Sequence, residues 1–114
     1  MRPINFIGIW NVPNLPMSIE ELGAYVNRVA QNADEVLITR HCQMRMDERN
    51  ITRREAWTTL RRGCVCSDPT FNTDFGTWEF KFQEPPPRDL ICVVVAAELD
   101  PTTNTITALT VYEV

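Results

Sequence analysis

The sequence predicts an α+β fold: N-terminal helices followed by a four-stranded antiparallel sheet. Three observations predict it. Apolar residues recur at helical spacing as far as residue 62. After Gly63 the spacing changes to strict alternation. The first and third helical stretches also open on a hydroxyl residue suited to capping. The 114 residues are enough for one domain with its own core, and an apolar share of 44% excludes a disordered chain. No apolar run reaches the roughly 18 residues that span a bilayer. The opening Met1-Arg2-Pro3 does not read as a signal peptide. A cytoplasmic protein without a membrane partner is therefore expected.

Ile4 to Trp10 is apolar and reads as a strand or a packed arm, and the prolines between Asn11 and Pro16 read as a linker. Ser18 opens a helix, and Glu21 at its third position completes a capping box. Ile19, Leu22, Val26, Val29 and Ala30 form its stripe, which should end near Asn32. Val36-Leu37-Ile38 is a brief strand or a core plug. A second helix is expected from Arg40 to Arg49, closed by Asn50 in a left-handed cap. A third starts after Thr52, with Glu55 as its capping-box partner. Ala56, Trp57 and Leu60 form its core stripe, and Gly63 ends it.

Cys64 to Phe71 should be a first strand interrupted at Pro69. In the second, Trp78, Phe80 and Phe82 alternate with Glu79, Lys81 and Gln83, the pattern of a sheet covered on one face. Leu90 to Ala97 is apolar on both faces and reads as a central strand. Asp100 to Asn104 reads as a turn, and Thr105 to Val114 as the last strand. Cys64 and Cys66 form C-x-C without a matching pair, so the four cysteines are expected to be ordinary thiols. Trp57 and Trp78 are expected in the core.

The net charge of −4 hides a local excess of the opposite sign. Residues 40–62 hold seven arginines against three carboxylates, a net +4, which leaves −8 on the rest. Such a patch suits an anionic partner, and guanidinium is the cation that contacts phosphate bidentately. A solvated helical face explains the same charges equally simply. Within the patch, His41, Arg45 and Arg49 stand at i, i+4 and i+8, along one stripe of the second helix. Imidazole can act as acid or base near neutral pH, and two guanidiniums can stabilise a phosphorane. The trio suits cleavage of an RNA phosphodiester with no metal and no cofactor. Arg40, Arg53, Arg54, Arg61 and Arg62, with Lys81 and Tyr112 from the sheet, are the candidate RNA contacts. The structural alternative makes His41 a capping or otherwise satisfied structural residue and pairs Arg45 with Glu48 or Asp47 on the surface.

The run from Ile38 to Thr52 resembles the domain-of-unknown-function 4258 family, whose opening motif reads approximately T-x-H-x-x-x-R-M-x-E-R-x-I-[ST]. Thr39, His41, Arg45, Met46, Glu48, Arg49, Ile51 and Thr52 fall in place. The valine-rich strand and the Thr-Ile-Thr strand after it extend the resemblance over residues 36–113. It implies a RelE/BrnT-like fold in residues 36–114, preceded by an extension, residues 1–35, that carries a capped helix. It also implies a metal-independent endoribonuclease, the toxin of a toxin–antitoxin pair, leaving a 2′,3′-cyclic phosphate. RNA, free or on the ribosome, and a cognate antitoxin would be its partners. A second reading keeps the scaffold without the chemistry: a phage or mobile-element protein that binds and inhibits a host protein or nucleic-acid complex. A helix-turn-helix DNA binder is a third, weakened because the third helix offers no Asn or Gln for adenine.

Overall fold

A computed structural model describes residues 14–99 and 104–113. The stretch Ile4–Trp10, most of the linker before Pro16 and most of the turn at Asp100–Asn104 lie outside the described residues. In chain order the elements are α1 (Ile19–Val29), a 3₁₀ turn (Ala33–Glu35), β1 (Val36–Ile38), α2 (Arg40–Arg49), α3 (Arg53–Arg62), β2 (Cys64–Val65), β3 (Thr70–Asn72), β4 (Thr77–Gln83), β5 (Ile91–Ala97) and β6 (Ile106–Glu113).

The helices begin where capping chemistry places them. Ser18 Oγ accepts from the Glu21 amide at 3.1 Å and Glu21 Oε1 accepts from the Ser18 amide at 2.9 Å, closing the box on α1. Thr52 and Glu55 repeat the arrangement on α3. Asn50 ends α2 at φ 54°, ψ 38°, a conformation Asn tolerates better than most residues. The first helix stops at Val29 rather than near Asn32. Asn32 turns its side chain onto the Asp34 amide at 3.1 Å and so starts the 3₁₀ turn.

The sheet differs from the four antiparallel strands that the sequence predicts. Among the described residues it has six strands, in the order β1-β6-β5-β4-β2 with β3 also pairing with β4, and it is mixed. Val36-Leu37-Ile38 is a strand, parallel to β6, with Val36 opposite Ile106 and Ile38 opposite Ala108. Helices α2 and α3 therefore follow a strand rather than preceding the whole sheet. The stretch expected as one interrupted strand is two, β2 and β3, each antiparallel to β4. Between them Ser67 Oγ accepts from the Lys81 amide at 2.8 Å, where a strand residue would have presented its carbonyl. Three residues, as in β1, carry too little alternation to distinguish strand from loop.

One face of the sheet holds the core. Trp78, Phe80 and Phe82 of β4 lie beside Val93, Val95 and Ala97 of β5, and beyond these come Ile106, Ala108 and Val111 of β6. Against this face pack Leu22, Val26 and Val29 of α1, Cys42 and Met46 of α2, and Ala56, Trp57 and Leu60 of α3, in one continuous cluster. The β5–β6 register shifts between Val94 and Val95, which lets both Ala108 and Val111 face inward although three residues apart. Thr39 uses that irregularity. Its amide donates to Ala108 O at 3.2 Å and its hydroxyl to Leu109 O at 3.0 Å, while its Oγ1 also caps α2 by accepting from the Cys42 amide at 3.0 Å. One side chain thus starts α2 and fixes where it leaves the sheet. No helix among the described residues is long and apolar enough to cross a membrane.

Candidate nucleic-acid interface

Helix α2 seats itself through Cys42 and Met46, which are buried. Positions 41, 45 and 49 consequently fall at the edge of its solvent face. His41 and Arg49 are exposed and Arg45 is half-buried, so the stripe inferred from spacing exists as a surface. Arg45 Nη1 lies 3.0 Å from Glu48 Oε1, an ion pair whose side chains are 41% and 54% exposed. Exposed pairs of this kind contribute at most about 1 kcal/mol, so the guanidinium is readily recruited by a stronger anion. Arg40, in the first turn of α2, is exposed.

Helix α3 follows after a three-residue turn, Asn50 to Thr52, in which Ile51 is buried and its amide donates to Met46 O at 2.9 Å. Arg53 reaches back to α2, donating to Gln43 Oε1 at 3.1 Å, and its guanidinium also lies 5.8 Å from the Trp57 ring centroid. Arg61 Nε donates to Ala30 O at 2.8 Å, at the end of α1. Arg54 and Arg62 are exposed. At about 100° per residue, positions 53, 54, 57 and 61 fall within roughly a quarter to a third of the helix circumference. Arg53, Arg54, Trp57 and Arg61 line a cleft of about 300 Å³ together with Ala33. Trp57 is core by burial, as expected, yet its Nε1 is buried without a hydrogen-bond partner among the described residues. Sequence reasoning took the four residues as separate surface and core positions. The signal that could have joined them is the spacing itself, arginines at i−4, i−3 and i+4 of a tryptophan.

Lys81 and Tyr112 lie elsewhere. The register places them on the sheet face opposite Phe80, Phe82 and Val111, away from the helices. Lys81 Nζ stands 5.8 Å from the Tyr112 ring centroid, and its hydrogen bond with the Tyr112 hydroxyl raises the ammonium's pKa. The structure therefore brings Arg53, Arg54 and Arg61 together and aligns His41, Arg45 and Arg49, but does not join Lys81 and Tyr112 to either group.

Two further groups shape the surroundings. Burial pushes the Cys42 thiol up to about 11, against the opposing pull of Arg53, so it is an inert core residue beneath the arginines. Glu55 is held below the usual carboxylate range, first by the Thr52 amide and then by Arg88, which reaches it from the β4–β5 connection. Cys64 and Cys66 are exposed and Cys92 buried. Among the described residues no group of three His, Cys, Asp or Glu converges on a metal position. No family model, curated protein or solved structure matches the chain.

Proposed function

We propose that this protein is an endoribonuclease of the toxin type, working through side chains alone and leaving a 2′,3′-cyclic phosphate. The carrying observation is the His41–Arg45–Arg49 stripe at the solvent face of α2, with a second arginine group, Arg53, Arg54 and Arg61, lining a cleft on α3. The stripe joins a proton-transfer group to two phosphate-binding groups at one-turn intervals, and the α3 group adds positive charge on the neighbouring helix. His41 takes the 2′-hydroxyl proton or gives one to the departing 5′-oxygen, while Arg45 and Arg49 bind the phosphorane. The motif resemblance supports cleavage over simple binding. RNA and a neutralising antitoxin are the proposed partners.

The test measures binding and cleavage in one variant. His41→Ala should lose about 10²–10⁴ in cleavage rate while still binding RNA, and wild-type binding should weaken steeply with salt as counterions are released. Unchanged cleavage by a folded His41→Ala protein ends the catalytic assignment. A second reading, a binding protein that blocks a host protein or nucleic-acid complex, is favoured by the Arg45–Glu48 pair, which occupies one proposed catalytic cation. Salt-sensitive binding by wild type with no cleavage selects that reading.

A further inference from the structure

We propose that the cleft between α3 and the 3₁₀ turn is a subsite for one nucleotide phosphate of single-stranded RNA. This inference rests on the RNA reading above and specifies the form of nucleic acid it requires. Arg53, Arg54 and Arg61 converge on one cleft, and the described lining includes no carboxylate to offset them. Three like charges on neighbouring turns repel one another, and an anion placed among them relieves that repulsion.

The remaining features define the anion. Arg61 is fixed through its Nε by Ala30 O, which leaves the terminal nitrogens of its fork as donors. Arg53 is fixed from Gln43 and by the indole face. Arg54 makes no hydrogen bond or ion pair among the described residues and supplies the mobile member of the clamp. Beneath them Trp57, only 8% exposed, carries an indole N–H with no acceptor among the described residues; the nitrogen itself is out of solvent contact, so a phosphate oxygen satisfies it once the ring shifts toward the cleft. The cleft's volume of about 300 Å³ is at the small end for ligand pockets and suits one nucleotide unit. The flexible backbone of a single strand can bend one phosphate into contact with all three guanidiniums, whereas a duplex holds its phosphates at fixed spacing, so single strands are the expected ligand.

The experiment titrates the full chain with a fluorescently labelled single-stranded 10-mer RNA and, separately, the same sequence as a duplex, reading anisotropy. Uridine 5′-monophosphate and inorganic phosphate serve as competitors. Wild type should prefer the single strand by tenfold or more. Arg54→Ala should lose about tenfold in affinity, and Arg54→Lys should recover only part of it, because a point charge lacks the guanidinium fork. Trp57→Phe, which deletes the N–H and keeps most of the ring volume, should weaken binding several-fold. Arg28→Ala, on α1, should bind like wild type, and thermal melts should show every variant folded. Wild-type RNA binding that Arg54→Ala and Trp57→Phe leave unchanged overturns the subsite while the arginine-surface reading stands. Equal affinity for the duplex also overturns it. Binding of the mononucleotide without RNA refutes the RNA proposal and identifies the source as a free nucleotide. No binding of RNA, nucleotide or phosphate refutes the subsite and the RNA reading together.

Discussion

A single methyl group at Gly63 should cost this fold more than any change on its arginine surface. Gly63 closes α3 through its amide, which donates to Thr59 O at 2.8 Å, and it leads directly into β2. A Cβ built there would lie 2.1 Å from Gln83 O and 2.5 Å from Thr59 O. Both are backbone atoms, so no rotamer change relieves the overlap. Contact distances demand that β4 or the end of α3 retreat by about an ångström, and Gln83 is the residue that pairs with Cys64. The first ladder bonds of β2 would open, and Asn27 Nδ2, which donates to Leu60 O at 2.7 Å, would lose its alignment. Overpacking of this kind costs about 1–3 kcal/mol, and a lost backbone hydrogen bond adds about 1. Gly63→Ala should therefore lose roughly 2–4 kcal/mol, a fall in melting temperature of about 10–25 °C for a domain this size. Gly23 is the control. It sits inside α1, and a Cβ there meets nothing within 4 Å among the described residues. Gly23→Ala should stabilise by about 0.5–1 kcal/mol by removing unfolded-state entropy. Thermal melts of both variants check the pair, and a Gly63→Ala midpoint within 2 °C or so of wild type would refute the steric argument.

Glu55→Gln should lower stability at neutral pH by about 1 kcal/mol or less, since the group is partly solvated. Because the folded carboxyl titrates below its ordinary 4.5, its contribution is present above that pH and disappears as pH falls through the folded value. Denaturant curves of the two proteins should therefore converge as pH is taken below 4.5. Glu84 is a buried carboxylate that accepts from the Leu90 and Ile91 amides at 3.0 and 3.2 Å and pairs with Arg88 at 3.2 Å. Glu84→Ala leaves those donors without an acceptor and should cost about 1–3 kcal/mol, read as a shift in urea midpoint. Thr39→Ala removes both the α2 cap and the bond to Leu109 O and should cost about 1–2 kcal/mol, whereas Thr39→Ser should recover most of it. Truncation to residues 36–114 strips Leu22, Val26 and Val29 from the shared core. At about 1.5–3 kcal/mol per buried side chain, the shortened chain should melt without cooperativity, and a sharp transition would show that the extension folds separately.

The sequence disclosed those elements whose signals are local. Ser18/Glu21, Thr52/Glu55 and Asn50 each act within four residues, so helix starts and the α2–α3 turn are legible from spacing. The alternation in β4 and the apolar run of β5 are equally local. What remained hidden depends on partners far along the chain. β1 is a strand because Ile106 and Ala108, about seventy residues later, offer it a parallel edge, and nothing inside Val36-Leu37-Ile38 encodes that. β2 and β3 are separate because the chain between them is held to Lys81 through Ser67. The placement of Lys81 and Tyr112 failed for a related reason. Their alternation was readable, but which sheet face the helices would cover was fixed only when α1, α2 and α3 met Phe80 and Phe82.

The same distinction explains how the two arginine groups differ in kind. The α2 group is a consequence of helical period alone, and any helix with this sequence would align positions 41, 45 and 49. The α3 group is a product of the fold. Arg61 is held only because α1 ends at Ala30 beside it, and Arg53 only because the turn at Asn50 brings Gln43 within reach. Trp57 is half core and half wall because its stripe faces both Leu60 and the cleft. A surface whose cations are placed by three separate elements loses its geometry when any of them moves. Arg61→Lys should accordingly loosen the α1–α3 contact as well as ligand binding, because an ammonium on a flexible stem does not reproduce the directional Nε bond to Ala30 O. Arg54→Lys, with no bond among the described residues to lose, should change binding alone. Melting temperature and RNA affinity measured on both variants separate the two effects. Equal melting temperatures would mean that Arg61 does not tie α1 to α3.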